Sequence, residues 1–183
     1  MLSKPKYVYE SPWFNVTKGD YLTPKNEIVK DFHFIETCNS AIAVISDFNY
    51  ERFLILKEYR PSLQGEFYTL PGGRIEEGEA PLACLKRELK EETDISCSDF
   101  IFLGKTINNG NYHFGEDIVY LALVNFEKID INVKNEELIM GFEIVDWKTF
   151  FEKKYQEVRI SGVFSALMLA YIYLTTQKSK NFR

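Results

Sequence analysis

The chain is poor in cysteine, has no repeat and no low-complexity linker, and carries no apolar run long enough to cross a bilayer. Its three cysteines, Cys38, Cys84 and Cys97, are odd in number and lack metal-type spacing. That excludes a zinc ribbon and a disulfide scaffold, and leaves small buried hydrophobes or free thiols in a reducing compartment. The first ten residues, MLSKPKYVYE, contain no apolar signal core, so a cytoplasmic protein is expected. The longest apolar stretch, Gly162 to Leu174, has Arg159 before it and Lys178 and Lys180 after it. A membrane-spanning helix needs about 20 residues, so this stretch reads as a buried C-terminal helix and no membrane partner is expected. Positive charge is also short, with 22 Lys and Arg against 27 Asp and Glu and a net charge of −5. Broad binding to a nucleic acid polymer is therefore disfavoured. A phosphate-bearing small molecule is not, because a bound dication reverses the local sign.

The 183 residues, 45% hydrophobic and 15% aromatic, suit one domain with a sizeable core. Lys6 to Val16 and Glu27 to Thr37 read as two extended segments joined by a hairpin connection holding Gly19, Pro24 and Asn26. Ser40 to Ser46 and Arg52 to Glu58 are continuous apolar runs, as in strands buried on both faces. Glu66 to Leu70 leads into Pro71-Gly72-Gly73, a turn whose glycines let backbone come close to a ligand. Phe100 to Thr106, Asp117 to Phe126 and Ile139 to Asp146 read as strands, Trp147 to Lys154 as a short helix and Ser161 to Gln177 as a long one. Strands on both sides of a central helix, with a helix at the end, imply an α/β sandwich around a mixed sheet.

The central helix carries the chemistry. Pro81 suits the first helical position, and Leu82, Leu85 and Leu89 recur on one face. Glu88, Glu91 and Glu92 then share another face, where like charges repel by a few tenths of a kcal/mol per pair with no lysine inside the cluster. A hard dication relieves that repulsion. Magnesium takes oxygen ligands, keeps several waters and completes its shell with substrate phosphate oxygens.

Gly73 to Ile95, GRIEEGEAPLACLKRELKEETDI, resembles the Nudix box. That pattern runs Gly, five residues, Glu, seven residues, then Arg-Glu-apolar-x-Glu-Glu-x-Gly-apolar. Gly73, Glu79, Arg87, Glu88, Leu89, Glu91, Glu92 and Ile95 match, and Asp94 stands where the pattern has Gly. Asp tolerates left-handed backbone better than most residues, so the helix can still end there. The resemblance extends to a Tyr-Arg pair at Tyr59-Arg60, an N-terminal extension over residues 1–37 and a closing helix after Ser161-Gly162. These are features of the ADP-ribose and nucleotide-sugar pyrophosphatase branch.

The resemblance implies one Nudix hydrolase domain over residues 1–183, with a core at 38–183, an α/β/α sandwich around a mixed sheet and an N-terminal β extension. It implies Mg²⁺, replaceable by Mn²⁺, held by Glu88, Glu91, Glu92 and the Gly72 carbonyl, with Gly73, Glu79 and Arg87 supporting the box. It implies catalytic roles for Glu91 and Glu92 and, on the loop Lys134 to Leu138, for Glu137, with Glu136 as its alternative. A guanidinium fork matches phosphate, so Arg60 is the first candidate for substrate, ahead of Arg74 and Arg52. Trp13, Phe14 or Tyr21 are candidates to stack on a base, Tyr112 and His113 to line the pocket, and His33 to pack in a strand. The expected reaction is hydrolysis of a nucleoside diphosphate linked to ribose phosphate or a sugar into two monophosphates, by a homodimer. Tyr112, and the lack of proline in Thr106 to Gly115, keep open a dinucleoside polyphosphate or nucleoside triphosphate substrate. A nucleotide-binding module without catalysis is a further alternative, although such modules lose box carboxylates that this chain keeps.

Overall fold

Two β-sheets organise the chain, and their strand order follows from which runs are apolar on both faces. The computed structural model describes residues 5–107, 110, 113–133 and 138–180, with 113–114 and 178–180 as backbone. The main sheet contains β4 (Ser40–Asp47), β5 (Arg52–Arg60), β8 (Asp99–Ile107), β10 (Glu116–Val124) and β11 (Ile139–Asp146), in the order β11-β5-β4-β10-β8. Short strands β6 (Gly65–Thr69) and β7 (Gly72–Arg74) pair with β5 and β4. The β4–β10 pair is parallel and the others are antiparallel, so the sheet is mixed as expected.

Helix α1 (Pro81–Thr93) covers one face of this sheet. Its Cys84, Leu85 and Leu89 pack on Ala41, Ala43, Ile45, Leu54 and Leu56. Helix α3 (Ser161–Lys180) covers the other, where Val163, Ala166, Leu167 and Ala170 meet Val44, Phe53, Ile55, Val119 and Leu121. Alternation along β5 therefore sends even-numbered side chains toward α1 and odd-numbered ones toward α3. By that repeat Glu58 and Arg60 lie on the α1 face, beyond Leu54 and Leu56.

Several expectations change. The N-terminal extension forms three strands, not two: β1 (Lys6–Tyr9), β2 (Asn15–Leu22) and β3 (Ile28–Glu36). The break comes at Ser11–Phe14, where the Ser11 hydroxyl donates to the Phe14 carbonyl (2.7 Å) and accepts from the Phe14 N–H (3.0 Å), an ST turn. Gly19 lies inside β2, beside an irregularity in its pairing with β3. The β2–β3 connection holds Pro24 and Asn26, the latter at φ 62°. Strand β9 (His113–Phe114) of the core joins this sheet beside β3, so the extension is tied to the core through backbone. His33 is exposed rather than packed. The turn expected at Pro71–Gly73 is the short strand β7. The expected short helix at Trp147–Lys154 is one turn, α2 (Trp147–Thr149), followed by a π-helical segment over Phe150–Lys154. Helix α3 buries only one face, since Phe164, Tyr171 and Ile172 are exposed.

Candidate active site

Helix α1 begins at Pro81 with no side-chain cap and ends at Asp94, which takes the left-handed conformation (φ 60°, ψ 11°) that the pattern assigns to Gly. Near its C-terminal end the Thr93 hydroxyl, fully buried, is satisfied by the Leu89 carbonyl at 2.7 Å. The helix thus sits firmly on β4 and β7, and its acidic face meets the two glycines of β7.

Each glycine is required by a different contact. Gly72 adopts φ 151°, and a Cβ there would lie 2.2 Å from the Ala41 carbonyl oxygen, so only glycine lets β7 lie against β4. A Cβ on Gly73 would lie 2.1 Å from Glu88 Oε1, so glycine there leaves room for the carboxylate itself. The close approach expected at these glycines is therefore first of all to β4 and to Glu88. The Gly72 N–H donates to Glu92 Oε2 at 2.9 Å, which fixes the end of that side chain.

Arg87 gathers the other carboxylates. Its Nε donates to Glu79 Oε1 (3.1 Å), and its Nη1 to Glu88 Oε1 (2.8 Å) and Glu91 Oε2 (3.1 Å). Its Nη2 donates to Glu79 Oε2 and to the Arg74 carbonyl, both at 3.2 Å. The repulsion among the helix carboxylates is thus relieved in part by an arginine of the same helix, a partner that a search for lysine overlooks. The ion pair with Glu79 braces the loop against the helix. Hydrogen bonds from Arg87, then from the Glu76 N–H, hold the Glu79 carboxyl below its ordinary range. Burial, reinforced by Glu79 and Glu88, pushes the Cys84 thiol up to about 12, which removes it as a nucleophile.

Among the described residues, no three His, Cys, Asp or Glu converge on one point as a ready cation cage. The donor set nevertheless fits a hard dication: three carboxylates on one helix face, one anchored by Gly72 and one lodged where Gly73 has no side chain. A cleft of about 470 Å³ opens beside them, lined by Cys38, Arg74, Ile75, Glu76, Arg87 and Glu88. A second of about 230 Å³ also borders Arg74 and Cys38 and reaches Trp13 and Phe14.

The expected substrate residues divide. Arg74 faces the N-terminal extension, donating to the Pro12 carbonyl at 2.7 Å and to Cys38 Sγ at 3.1 Å, with its guanidinium 5.8 Å from the centre of the exposed Trp13 ring. Arg60 lies on β5, paired with Glu58 (2.8 Å) and donating to Thr69 Oγ1 (3.3 Å). Its buried Nε finds no acceptor among the described residues. Glu58 was missed in the sequence, although its two-residue spacing from Arg60 on a strand places both on one face. Arg52 is not at the site: it pairs with Asp47 (3.3 Å) and Glu127 (3.1 Å) at the other end of β4. Tyr21 packs edge-on against Phe32 at 5.2 Å within the extension. Tyr112, Glu136 and Glu137 lie outside the described residues. The flanking Leu138 is held by its carbonyl, which accepts from the Tyr59 N–H at 2.7 Å.

Comparison with known proteins agrees with this geometry. A model of the NUDIX domain matches residues 37–163. The methanol dehydrogenase activator of Bacillus methanolicus is 30% identical over 99 residues, which cover 54% of this chain and 49% of that protein. The ADP-sugar pyrophosphatase of Mus musculus is 26% identical over 127 residues, covering 62% of this chain and 58% of that one. The chain thus spans about half the length of these curated relatives. A solved structure described as an ADP compounds hydrolase superposes with a TM-score of 0.66 at 20% identity, covering 97% of each chain. That likeness establishes the fold.

Proposed function

The chain belongs to the Nudix family, and from that premise we propose that it is a magnesium-dependent pyrophosphohydrolase cleaving a nucleoside diphosphate linked to ribose phosphate or a sugar. The observation that carries this reading is the intact set Glu88, Glu91 and Glu92 on one helix face, with Glu92 held by Gly72, Glu88 lodged against Gly73 at the edge of a cleft, and Glu91 on Arg87. The similarity to a mouse ADP-sugar pyrophosphatase supports the substrate class.

Glu88, Glu91, Glu92 and the Gly72 carbonyl would hold Mg²⁺, with Mn²⁺ as a substitute. When bound, the ion neutralises charge on the phosphoryl oxygens and makes a coordinated water a better nucleophile. The chain's own groups do the rest. Glu92 is oriented by the Gly72 N–H, and Glu88 and Glu91, which share the Arg87 guanidinium, would supply further carboxylate oxygens to the ion. Arg87 braces the loop against the helix through Glu79 and the Arg74 carbonyl. Arg74 and Trp13 meet the nucleoside end in the smaller cleft, and Arg60, whose side chain is partly exposed, offers its guanidinium to a phosphate oxygen. Glu137, with Glu136 as its alternative, would take the proton of the attacking water.

The test is a magnesium-dependent hydrolysis panel of ADP-ribose, ADP- and UDP-sugars, GDP-mannose, diadenosine polyphosphates and nucleoside triphosphates, with products identified. Two monophosphates from a diphosphate-linked substrate are expected. Preferred turnover of a dinucleoside polyphosphate would move the reading to that class, and tight nucleotide binding without turnover would make the chain a binding module.

A further inference from the structure

A groove of about 540 Å³ opens at the far end of the main sheet from the box, where β4 turns into β5 and β11 runs into α2. Four aromatic rings line it: Tyr50, Trp147, Phe151 and Tyr171. Phe151 and Tyr171 stand 4.5 Å apart, and Trp147 lies about 6 Å from each, at 6.1 and 6.0 Å. Glu51, Asp146 and Glu152 bring three carboxylates to the rim against the single cation of Lys148.

Three independent irregularities converge there. Tyr50, a bulky residue, is held at φ 60°, a conformation that favours glycine or asparagine. Phe151 and Glu152 belong to the π-helical segment, a form that occurs often at functional sites. Trp147 is 5% exposed, and its buried indole N–H meets no acceptor among the described residues. An orphaned buried donor is unfavourable, and a ligand oxygen in the groove would satisfy it.

We propose that this groove binds a small organic cation that also carries an oxygen acceptor. Aromatic faces attract ammonium and guanidinium groups, and the rim's excess of carboxylates adds to that attraction. The same excess repels phosphate, so the groove is not a second entrance for the substrate of the box. The ligand's oxygen takes the Trp147 N–H, and the volume lies within the range of small-molecule sites. This inference does not depend on the pyrophosphatase reading, since it uses none of the box residues.

The experiment follows the indole N–H signals of the ¹⁵N-labelled full chain, with Trp13 and Trp147 distinguished by Trp13→Phe. Choline is the probe, argininamide a second cation, and 3,3-dimethylbutan-1-ol the neutral isostere of choline. A saturable shift of the Trp147 signal is expected with a cation, and binding of the isostere about tenfold weaker or less. Tyr171→Leu should weaken choline binding by about tenfold, and the Glu51→Gln, Glu152→Gln pair should weaken it and reduce its salt dependence. Because Tyr171 also packs on Phe151, the glutamine pair keeps the test open if the leucine variant fails to fold. No saturable shift with either cation at millimolar concentration, or equal binding of choline and its isostere, would overturn the proposal.

Discussion

Gly72 and Gly73 are adjacent and alike in composition, yet the contacts around them separate fold from chemistry. A Cβ at Gly72 meets the Ala41 oxygen at 2.2 Å and the Ile42 Cα at 2.9 Å, both backbone, at a φ that side chains rarely adopt. Gly72→Ala should therefore lower stability by roughly 2–4 kcal/mol in urea unfolding. At Gly73 the obstacle is the far end of Glu88, which can swing aside. Gly73→Ala should leave stability within about 1 kcal/mol while reducing turnover by roughly tenfold or more. Equal losses of stability in both would contradict this division. On the other face, Glu143 is pushed up by burial, but hydrogen bonds from Lys154, Lys57 and Tyr68 outweigh that and bring its carboxyl down to about 2. A folded value below the ordinary 4.5 means the stabilisation is present above pH 4.5 and is lost as pH falls toward about 2. Glu143→Gln should cost about 2 kcal/mol at pH 7 and close to nothing near pH 2, read from denaturant midpoints at the two pH values. A constant difference would contradict the assignment.

At the scale of elements, α1 shows both what sequence reveals and where it stops. Its start, its apolar face and its carboxylates follow from Pro81, the leucine spacing and the glutamate spacing, because each of these is local. The Arg87 fan is less legible, since its contacts with Glu79 and the Arg74 carbonyl depend on how the loop folds back. Strands β4 and β5 were readable because burial on both faces makes them apolar throughout. The N-terminal extension was not, because β1 to β3 mix polar and apolar residues and a single hydroxyl, Ser11, breaks the first run. Arg60 was singled out for its chemistry, but its partner Glu58 emerges only once the strand face is known. The end of α1 gives a direct test: Asp94 sits at φ 60° and pairs with Lys90 at 2.5 Å on an exposed surface. Such pairs contribute about 0–1 kcal/mol, and the left-handed conformation costs a non-glycine residue more. Asp94→Gly should raise stability by up to about 1 kcal/mol, and a clear loss would assign the ion pair the larger part.

At the scale of the molecule, the extension is coupled to the box by Arg74, whose guanidinium reaches Pro12 and Trp13 from β7. Its outer strand β1 leaves Tyr7, Val8 and Tyr9 more than half exposed, and an edge that pairs with no further strand among the described residues is a template for another strand. We expect a homodimer through this sheet, seen by light scattering at micromolar concentration, with Val8→Lys shifting it toward monomer; a monomeric parent chain would contradict this. Among the described residues no helix is long and apolar enough to cross a membrane. The molecule thus separates three regions: the acidic face of α1 that we propose holds metal, a cleft bordered by Arg74 and the extension that we propose takes substrate, and an aromatic groove at the opposite end of the sheet. The central claim concerns the first. It is tested most directly by comparing the parent chain with Glu92→Gln, under saturating magnesium, on the diphosphate-linked substrate turned over fastest. The account predicts a loss of turnover on the order of a hundredfold or more with the unfolding midpoint little changed. Turnover retained within a few-fold would remove Glu92 from the metal site and contradict the reading of the helix face.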